Sequence, residues 1–96
     1  KAAVLRYTQS LAVELGPDGI RVNCIAPGII ESARIKALAA VRNLGTEAQA
    51  MANPLRRLGT PEDCAGVLEF FVSDLSKYVT GECIRVSGGS TLVSAK

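Results

Sequence analysis

The chain has 96 residues, of which 48% are apolar, and its formal net charge is +2. That length allows one small domain or part of a larger one, and the apolar content excludes a disordered or fibrous chain. The few scattered positive charges do not indicate a nucleic-acid partner, and no run of about 18 apolar residues indicates a membrane span. We therefore expect neither nucleic acid nor membrane among its partners.

The three cysteines, Cys24, Cys64 and Cys83, are odd in number and far apart, with no Cys-x-x-Cys. They match neither a disulfide framework nor a zinc site. We interpret them as buried thiols of a protein in a reducing compartment, and so predict a cytoplasmic location. Histidine is absent from the sequence, which excludes Ser-His-Asp and Cys-His catalysis and removes the commonest metal ligand.

Residues 2–15 form the first predicted element, a helix with apolar residues at helical spacing. The Gly-Pro-Asp-Gly segment at 16–19 ends it, since a glycine cap followed by proline stops a helix. The predicted apolar stripe consists of Val4, Thr8, Leu11 and Leu15.

A strand is predicted over residues 20–26, and its apolar residues Ile20, Val22, Cys24 and Ile25 suggest burial on both faces, as in parallel sheets. It runs into Pro27 and Gly28, and the turn then offers the hydroxyl group of Ser32. In an open parallel sheet, ligands bind beside the loops at the carboxyl ends of strands, and Gly28 has no side chain to keep a ligand away. This loop is therefore the predicted ligand-facing edge.

The segment 33–52 is helical in composition, with a break at Gly45 and with Thr46 as the N-cap of a short second helix. Helix propensity explains its many alanines. In the loop that follows, Arg56 and Arg57 predict a solvated turn or a salt-bridging site.

The clearest helix start is Thr60-Pro61-Glu62-Asp63. Thr60 can cap the helix, Pro61 suits the first helical position, and the two acids favour the positive end of the helix dipole. We predict a helix over residues 61–75.

This helix is apolar on more than one face, because Val67 and Phe70 lie off its main stripe. Such a helix needs a second surface to pack on, from either a larger core or another subunit. The predicted main stripe consists of Ala65, Leu68, Phe71, Val72 and Leu75.

A second strand is predicted over residues 82–87, ended by Gly88 and Gly89 and followed by a short tail over 90–96. The order helix, strand, helices, helix, strand is typical of α/β proteins with a parallel sheet and right-handed crossovers. Two strands alone leave an edge and a face bare, so we predict the back portion of a larger domain of about 200–250 residues.

Several segments resemble, in order, the C-terminal part of a classical short-chain dehydrogenase/reductase. The sequences of these segments are most similar to those of bacterial hydroxysteroid dehydrogenases and 3-oxoacyl-carrier-protein reductases. The resemblance implies that residues 1–96 are the C-terminal fragment of one NAD(P)-binding, Rossmann-like doubly wound domain whose N-terminal half is absent. The matching segments are Lys1-Ala2-Ala3-Val4, Leu11-Ala12-Val13-Glu14-Leu15 with Gly19-Ile20-Arg21-Val22-Asn23, Ala26-Pro27-Gly28-Ile29-Ile30-Glu31-Ser32, Arg57-Leu58-Gly59-Thr60-Pro61-Glu62-Asp63, and Thr80-Gly81-Glu82 with Val86-Ser87-Gly88-Gly89.

The resemblance also implies a set of site residues. Lys1 matches the lysine that lowers the pKa of the family's catalytic tyrosine and bonds the nicotinamide ribose, and the alternative is an ordinary charged residue. Ile30 matches the position whose backbone amide and carbonyl hold the nicotinamide carboxamide. Ser32 stands where the family usually has threonine, and it also suits a helix N-cap. The implied cofactor-binding residues are Lys1, Pro27, Gly28, Ile30, Glu31 and Ser32, and no metal ligand is implied.

The implied function is part of an NAD(P)-dependent oxidoreductase that transfers hydride between the nicotinamide and a secondary alcohol or ketone. The family's glycine-rich turn, catalytic serine and tyrosine are absent here, so the fragment alone is predicted to be inactive. NAD and NADP are left as alternatives, because the residue that reads the ribose lies elsewhere in the dinucleotide fold. The alternative function is a non-catalytic assembly or oligomerisation module. With either function the resemblance implies a homo-oligomer, a dimer or tetramer formed through residues 2–15, 61–75 and 82–87.

Overall fold

The computed structural model of the chain describes residues 2–41 and 47–93. Helices and strands follow one another there in the predicted order. Gly45 and Thr46, the predicted helix break and N-cap, lie outside the described residues. The elements are α1 (Ala2–Leu15), β1 (Cys24–Pro27), α2 (Ala33–Val41), α3 (Glu47–Ala52), α4 (Pro61–Val72), β2 (Cys83–Val86) and α5 (Ser90–Val93).

The two strands form a two-stranded sheet. The amide of Cys24 donates to the carbonyl of Glu82 at 2.9 Å, and the amide of Gly28 donates to the carbonyl of Val86 at 2.8 Å. Both strands advance in the same direction between these two bonds, so the sheet is parallel. The predicted α/β class is confirmed, and the short helix α5 replaces the start of the predicted tail.

Contacts divide the chain into two units, Lys1–Ala26 with Gly66–Arg85 and Pro27–Ala65 with Val86–Lys96. In the first unit, α1 spans the predicted residues, and Thr8 and Ala12 are buried on it. Val4 is 58% exposed, so its place in the predicted apolar stripe is wrong.

Side chains make several of the hydrogen bonds that hold residues 20–23, the segment just before β1. The Arg21 guanidinium donates to the carbonyl and the hydroxyl of Ser76, at 2.8 and 2.9 Å, and Ser76 is completely buried. The Asn23 side chain donates to the carbonyl of Val79 and accepts from the amide of Glu82, both at 3.0 Å. The Gly81 amide also donates to the Val22 carbonyl at 2.7 Å. Side chains thus take several of the hydrogen bonds that a regular ladder over residues 20–23 would use, and β1 begins at Cys24, later than predicted.

Helix α4 presents a different face from the predicted one. Phe71 is buried and Val67 and Phe70 are half-buried, whereas Leu68 is 50% and Val72 is 80% exposed. The predicted main stripe is therefore wrong for most of its members, because a helix that is apolar all round offers several equivalent stripes.

The helix also ends earlier than predicted. It stops at Val72, and Ser73 caps a separate 3-10 turn, since its hydroxyl accepts a hydrogen bond from the Leu75 amide at 3.3 Å.

In the part of the chain that the structure describes, no helix combines the length and hydropathy needed to cross a membrane.

Cys24 and Cys83 are neighbours on the two strands, since the Cys24 amide bonds to the residue before Cys83. All three cysteines are half-buried free thiols, so they are less buried than predicted. A hydrogen bond with the Cys24 thiol, aided by burial, raises the pKa of Cys83.

We expect Cys24→Ala to lower the pKa of Cys83 toward the ordinary thiol value of about 8.5, because the main cause of the shift is removed. The midpoint of the Cys83 alkylation rate against pH, measured with iodoacetamide and peptide mass spectrometry, should move down. Cys64→Ala is the control and should leave that midpoint in place. An unmoved midpoint in Cys24→Ala would contradict the hydrogen bond between the two thiols.

Candidate functional site

The predicted ligand-facing segment, residues 27–32, lies in the second unit between β1 and α2, and we call it the Pro-Gly loop. It contains all the predicted cofactor-binding residues except Lys1, which lies outside the described residues. Pro27 is exposed, and Gly28, Ile30, Glu31 and Ser32 are half-buried.

The start of the Pro-Gly loop requires glycine. Gly28 continues the sheet through the hydrogen bond from its amide to the Val86 carbonyl, and its α-carbon faces the turn after β2. A β-carbon at Gly28 would lie 2.9 Å from the α-carbon of Ser87 and 3.3 Å from the hydroxyl oxygen of Ser90. Any side chain here must therefore displace the backbone of the loop or of the turn beneath it.

The middle of the loop is held by Gly59, which lies just before α4. The Glu31 amide donates to the Gly59 carbonyl at 2.7 Å, and the Gly59 amide donates to the Ile29 carbonyl at 3.1 Å. These two bonds form an isolated parallel bridge between Ile30 and Gly59. A β-carbon at Gly59 would lie 2.7 Å from the δ-carbon of Ile30, so glycine permits this close approach.

The bridge has a consequence for the backbone of Ile30 itself. Because the flanking Ile29 carbonyl and Glu31 amide bond to Gly59, the amide and carbonyl of Ile30 are directed to the opposite side of the loop. Within residues 2–41 and 47–93, neither group has a hydrogen-bond partner. This leaves one donor and one acceptor, side by side, for a ligand.

The end of the loop is the start of a helix. The Ser32 carbonyl accepts the Lys36 amide at 2.9 Å, as an N-cap residue does, so the predicted capping position of Ser32 is confirmed. The Glu31 carboxylate lies 3.6 Å from the Lys36 ammonium, and the two side chains are 39% and 66% exposed. Such a surface pair stabilises little, so the loop depends mainly on its backbone bonds.

A polar cluster at the start of α4, made of Arg57, Thr60 and Asp63, supports Gly59. The Thr60 amide donates to the Asp63 carboxylate at 2.7 Å, and the Asp63 amide donates back to the Thr60 hydroxyl at 3.3 Å. This reciprocal pair is a capping box with Asp in the third helical position. The prediction of Thr60 as a cap is thereby confirmed.

Arg57 completes this cluster with a forked salt bridge. Its two terminal nitrogens lie 2.8 and 3.2 Å from the two oxygens of Asp63, which confirms the salt-bridging alternative for Arg57. The Arg56 guanidinium instead donates to the Met51 carbonyl. Hydrogen bonds to the Asp63 carboxylate hold its pKa well below its usual range, and the bond from the Arg57 guanidinium has a larger effect than the bond from the Thr60 amide. Since the folded-state pKa lies below the unfolded value of about 3.9, this stabilising contribution is present at neutral pH and diminishes as the pH falls below that value.

A second support lies under the start of the loop, in the turn after β2. Gly88 and Gly89 have φ of 62° and 89°, a conformation that favours glycine. The Gly88 carbonyl accepts the Leu55 amide at 3.3 Å, and a β-carbon at Gly89 would lie 2.8 Å from Pro54. Both glycines thus have a structural role, in agreement with their prediction as the end of the strand.

The described residues include no group of three or more metal-ligating side chains. The backbone groups that the Pro-Gly loop offers to a ligand are the amide and carbonyl of Ile30 and the N-terminus of α2 after Ser32. An amide group, which carries one donor and one acceptor in a plane, is complementary to the first of these, and a phosphate is complementary to the second.

An α/β chain with a glycine-dependent loop at the end of a parallel strand has the features of a dinucleotide-binding protein. A family model described as enoyl-(acyl carrier protein) reductase matches residues 1–91. The chain is 56% identical to the cyclohexanol dehydrogenase of Rhodococcus sp. (strain TK6) over 92 residues, which cover 95% of this chain and 33% of that one. It is 43% identical to dehydrogenase/reductase SDR family member 4 of Homo sapiens over 90 residues, covering 94% and 32%.

The chain belongs to the short-chain dehydrogenase/reductase family, as its motifs predicted. It spans about a third of the length of the curated relatives it matches. Among solved structures, ElxO with NADP bound is similar with a TM-score of 0.85 and 27% identity, covering 95% of this chain and 37% of that one. The predicted cofactor class, NAD or NADP, agrees with this relative and with the family.

Sequence reasoning missed Gly59 and the salt bridge of Arg57 with Asp63 as supports of the Pro-Gly loop. The signal that was available is the spacing of Thr60 and Asp63, which is that of a capping box. The bridge from Gly59 to Ile30 had no local signal, because it joins segments that are distant in the sequence.

Proposed function

We propose that residues 1–96 are the C-terminal portion of one NAD(P)-binding domain of an oxidoreductase. The enzyme transfers hydride between a nicotinamide cofactor and a secondary alcohol or ketone. The observation that carries this proposal is the backbone of Ile30, whose amide and carbonyl have no partner within the described residues and are turned away from Gly59. The nicotinamide carboxamide offers the complementary acceptor and donor.

The other predicted residues have distinct roles in this proposal. Gly28, with no side chain, lets the Pro-Gly loop pack closely on the turn after β2, which places the ligand-facing backbone, and Pro27 shapes the turn. Ser32 is the N-cap residue of α2, whose N-terminal amides suit a phosphate of the cofactor, and Glu31 holds the loop through its backbone hydrogen bond to Gly59.

Lys1 would act on the proton-transfer side of the reaction. A lysine cation beside a tyrosine favours the phenolate and brings the tyrosine pKa closer to neutrality, which makes proton transfer to or from the substrate oxygen effective. The bound nicotinamide supplies or accepts the hydride. The name of the cyclohexanol dehydrogenase relative supports a secondary alcohol as the class of substrate.

The test uses the full-length protein with NAD(H), NADP(H) and a panel of secondary alcohols and ketones. We expect binding of one cofactor and transfer of deuterium from the deuterated nicotinamide to the carbonyl carbon. The isolated 96-residue chain should show no turnover, because it lacks the family's tyrosine and serine. Absence of both cofactor binding and turnover in the full-length protein would overturn the proposal.

A second candidate function, assembly of a dimer or homotetramer, is favoured by the exposed apolar side of the segment 66–76. The exposed side chains on this side are Leu68, Val72 and Leu75, at 50%, 80% and 82%. They, and not the half-buried Val67 and Phe70, are available to contact another subunit. We expect Val72→Asp to shift the full-length protein to smaller species in sedimentation velocity, since a charge at an apolar interface is costly. An unchanged sedimentation coefficient would rule out this side as an interface.

A reducing, cytoplasmic location is proposed with either function, on the basis of the three free thiols.

A further inference from the structure

We infer that Arg57, Thr60 and Asp63 form a positioning cluster that sets the nicotinamide-facing backbone of Ile30, an inference that rests on the proposed function. These residues do not belong to the Pro-Gly loop. They act on it through Gly59, which forms the bridge with Ile30.

The first step of the argument is that the cluster fixes the backbone on both sides of Gly59. Before it, the Arg57 guanidinium donates to the Leu58 carbonyl at 3.0 Å, and Leu58 is buried. After it, the Thr60 amide donates to the Asp63 carboxylate at 2.7 Å. The two peptide groups that flank Gly59 are therefore tied to the same salt bridge.

The second step is that one carboxylate oxygen collects most of these bonds. Oδ2 of Asp63 accepts from the Arg57 guanidinium at 2.8 Å, from the Thr60 amide at 2.7 Å and from the Thr60 hydroxyl at 3.1 Å. Charge-assisted and forked bonds of this kind are shorter and more directional than neutral ones. Loss of the charge at Asp63 therefore loosens all three partners together.

The third step is that the bridge transmits this placement to the loop. Gly59 bonds to the Ile29 carbonyl and the Glu31 amide, at 3.1 and 2.7 Å, so a shift of Gly59 moves both peptide groups of Ile30. The amide and carbonyl that face the ligand belong to those same peptide groups. A displacement of a few tenths of an ångström there misaligns two ligand hydrogen bonds, whose strength depends on distance and angle.

The test compares two ligands on the full-length protein by isothermal titration. One ligand is the oxidised cofactor that the wild type binds, and the other is ADP-ribose, or its 2′-phosphate for an NADP enzyme, which lacks only the nicotinamide. We expect Asp63→Asn to weaken binding of the whole cofactor by about tenfold, because two weakened hydrogen bonds together lose about as much as one complete bond contributes, and to leave ADP-ribose binding within about twofold. A merely structural role for Asp63 would weaken both ligands equally, and that result would overturn the inference.

Matched variants sharpen the comparison. Glu62→Gln removes a neighbouring exposed carboxylate from the same helical turn and should bind both ligands as the wild type does. Asp63→Glu keeps the charge and the capping box and should restore most of the lost affinity. A tenfold selective loss in Glu62→Gln, equal to that in Asp63→Asn, would also contradict the inference.

Folding and function are separated by two further readouts. Thermal unfolding is measured for every variant, and if Asp63→Asn fails to fold, Arg57→Lys replaces it, since lysine keeps the charge and loses the fork. Arg57→Lys should show the same selective loss of the whole cofactor. A wild type that binds ADP-ribose and the whole cofactor with equal affinity would overturn the inference and leave cofactor binding standing, whereas a wild type that binds neither ligand would overturn the proposed function as well.

Discussion

Gly28→Ala should weaken cofactor binding on the order of tenfold and lower the free energy of unfolding by about 2 kcal/mol. The added β-carbon would lie 2.9 Å from the backbone of Ser87, closer than such atoms approach in proteins. Ser87 itself begins the turn of Gly88 and Gly89, which is packed against Pro54 and Leu55, so it cannot yield freely. The Pro-Gly loop must therefore move, and it carries the ligand-facing backbone.

The measurements for this variant are cofactor titration and denaturant unfolding of the full-length protein. Gly66→Ala is the matched control, because a β-carbon at Gly66 has nothing within 4 Å and the residue lies inside α4. Alanine there should leave cofactor binding unchanged and increase stability by about 0.5–1 kcal/mol, since it replaces glycine within a helix. Equal cofactor affinity in Gly28→Ala and the wild type would remove the close packing of Gly28 from the description of the site.

Phe71→Ala should lower the free energy of unfolding by about 3–5 kcal/mol. Phe71 is 8% exposed, and its ring lies 5.8 Å from that of Phe70. Its removal loses the transfer free energy of an aromatic ring and leaves a cavity that the neighbours fill only in part.

Tyr78→Ala is the matched control for this prediction. It also truncates an aromatic side chain, but Tyr78 is fully exposed, so the expected change is within about 0.5 kcal/mol. Both variants are measured by urea unfolding with a common slope. A similar loss of stability in the two variants would contradict the burial of Phe71 within this fold.

Local signals account for the parts of the structure that were predicted well. Helix α1 has its predicted bounds, and α4 begins at Pro61 after the Thr60 cap. These features depend on propensity, capping and proline geometry, which act over a few residues. The position of the Pro-Gly loop at the end of a strand followed from the same kind of evidence.

Packing accounts for the parts that were predicted wrongly. Leu68 and Val72 are exposed although they share a stripe with Phe71, because α4 is apolar on several sides and its own sequence does not say which side packs. The late start of β1 has a similar origin. Arg21 and Asn23 bond to the segment 76–82, and those partners are far away in the sequence.

For the site, the sequence by itself determined the family, the glycine at the end of β1 and the helix that starts after Ser32. These are local patterns, and the family comparison supports the same segments. Only the tertiary structure decided how the loop is held, through the bridge from Gly59 to Ile30 and the salt bridge of Arg57 with Asp63. The physical reason is that a backbone bridge carries no side-chain signature, so the partner of Ile30 becomes known only when distant segments meet in the fold.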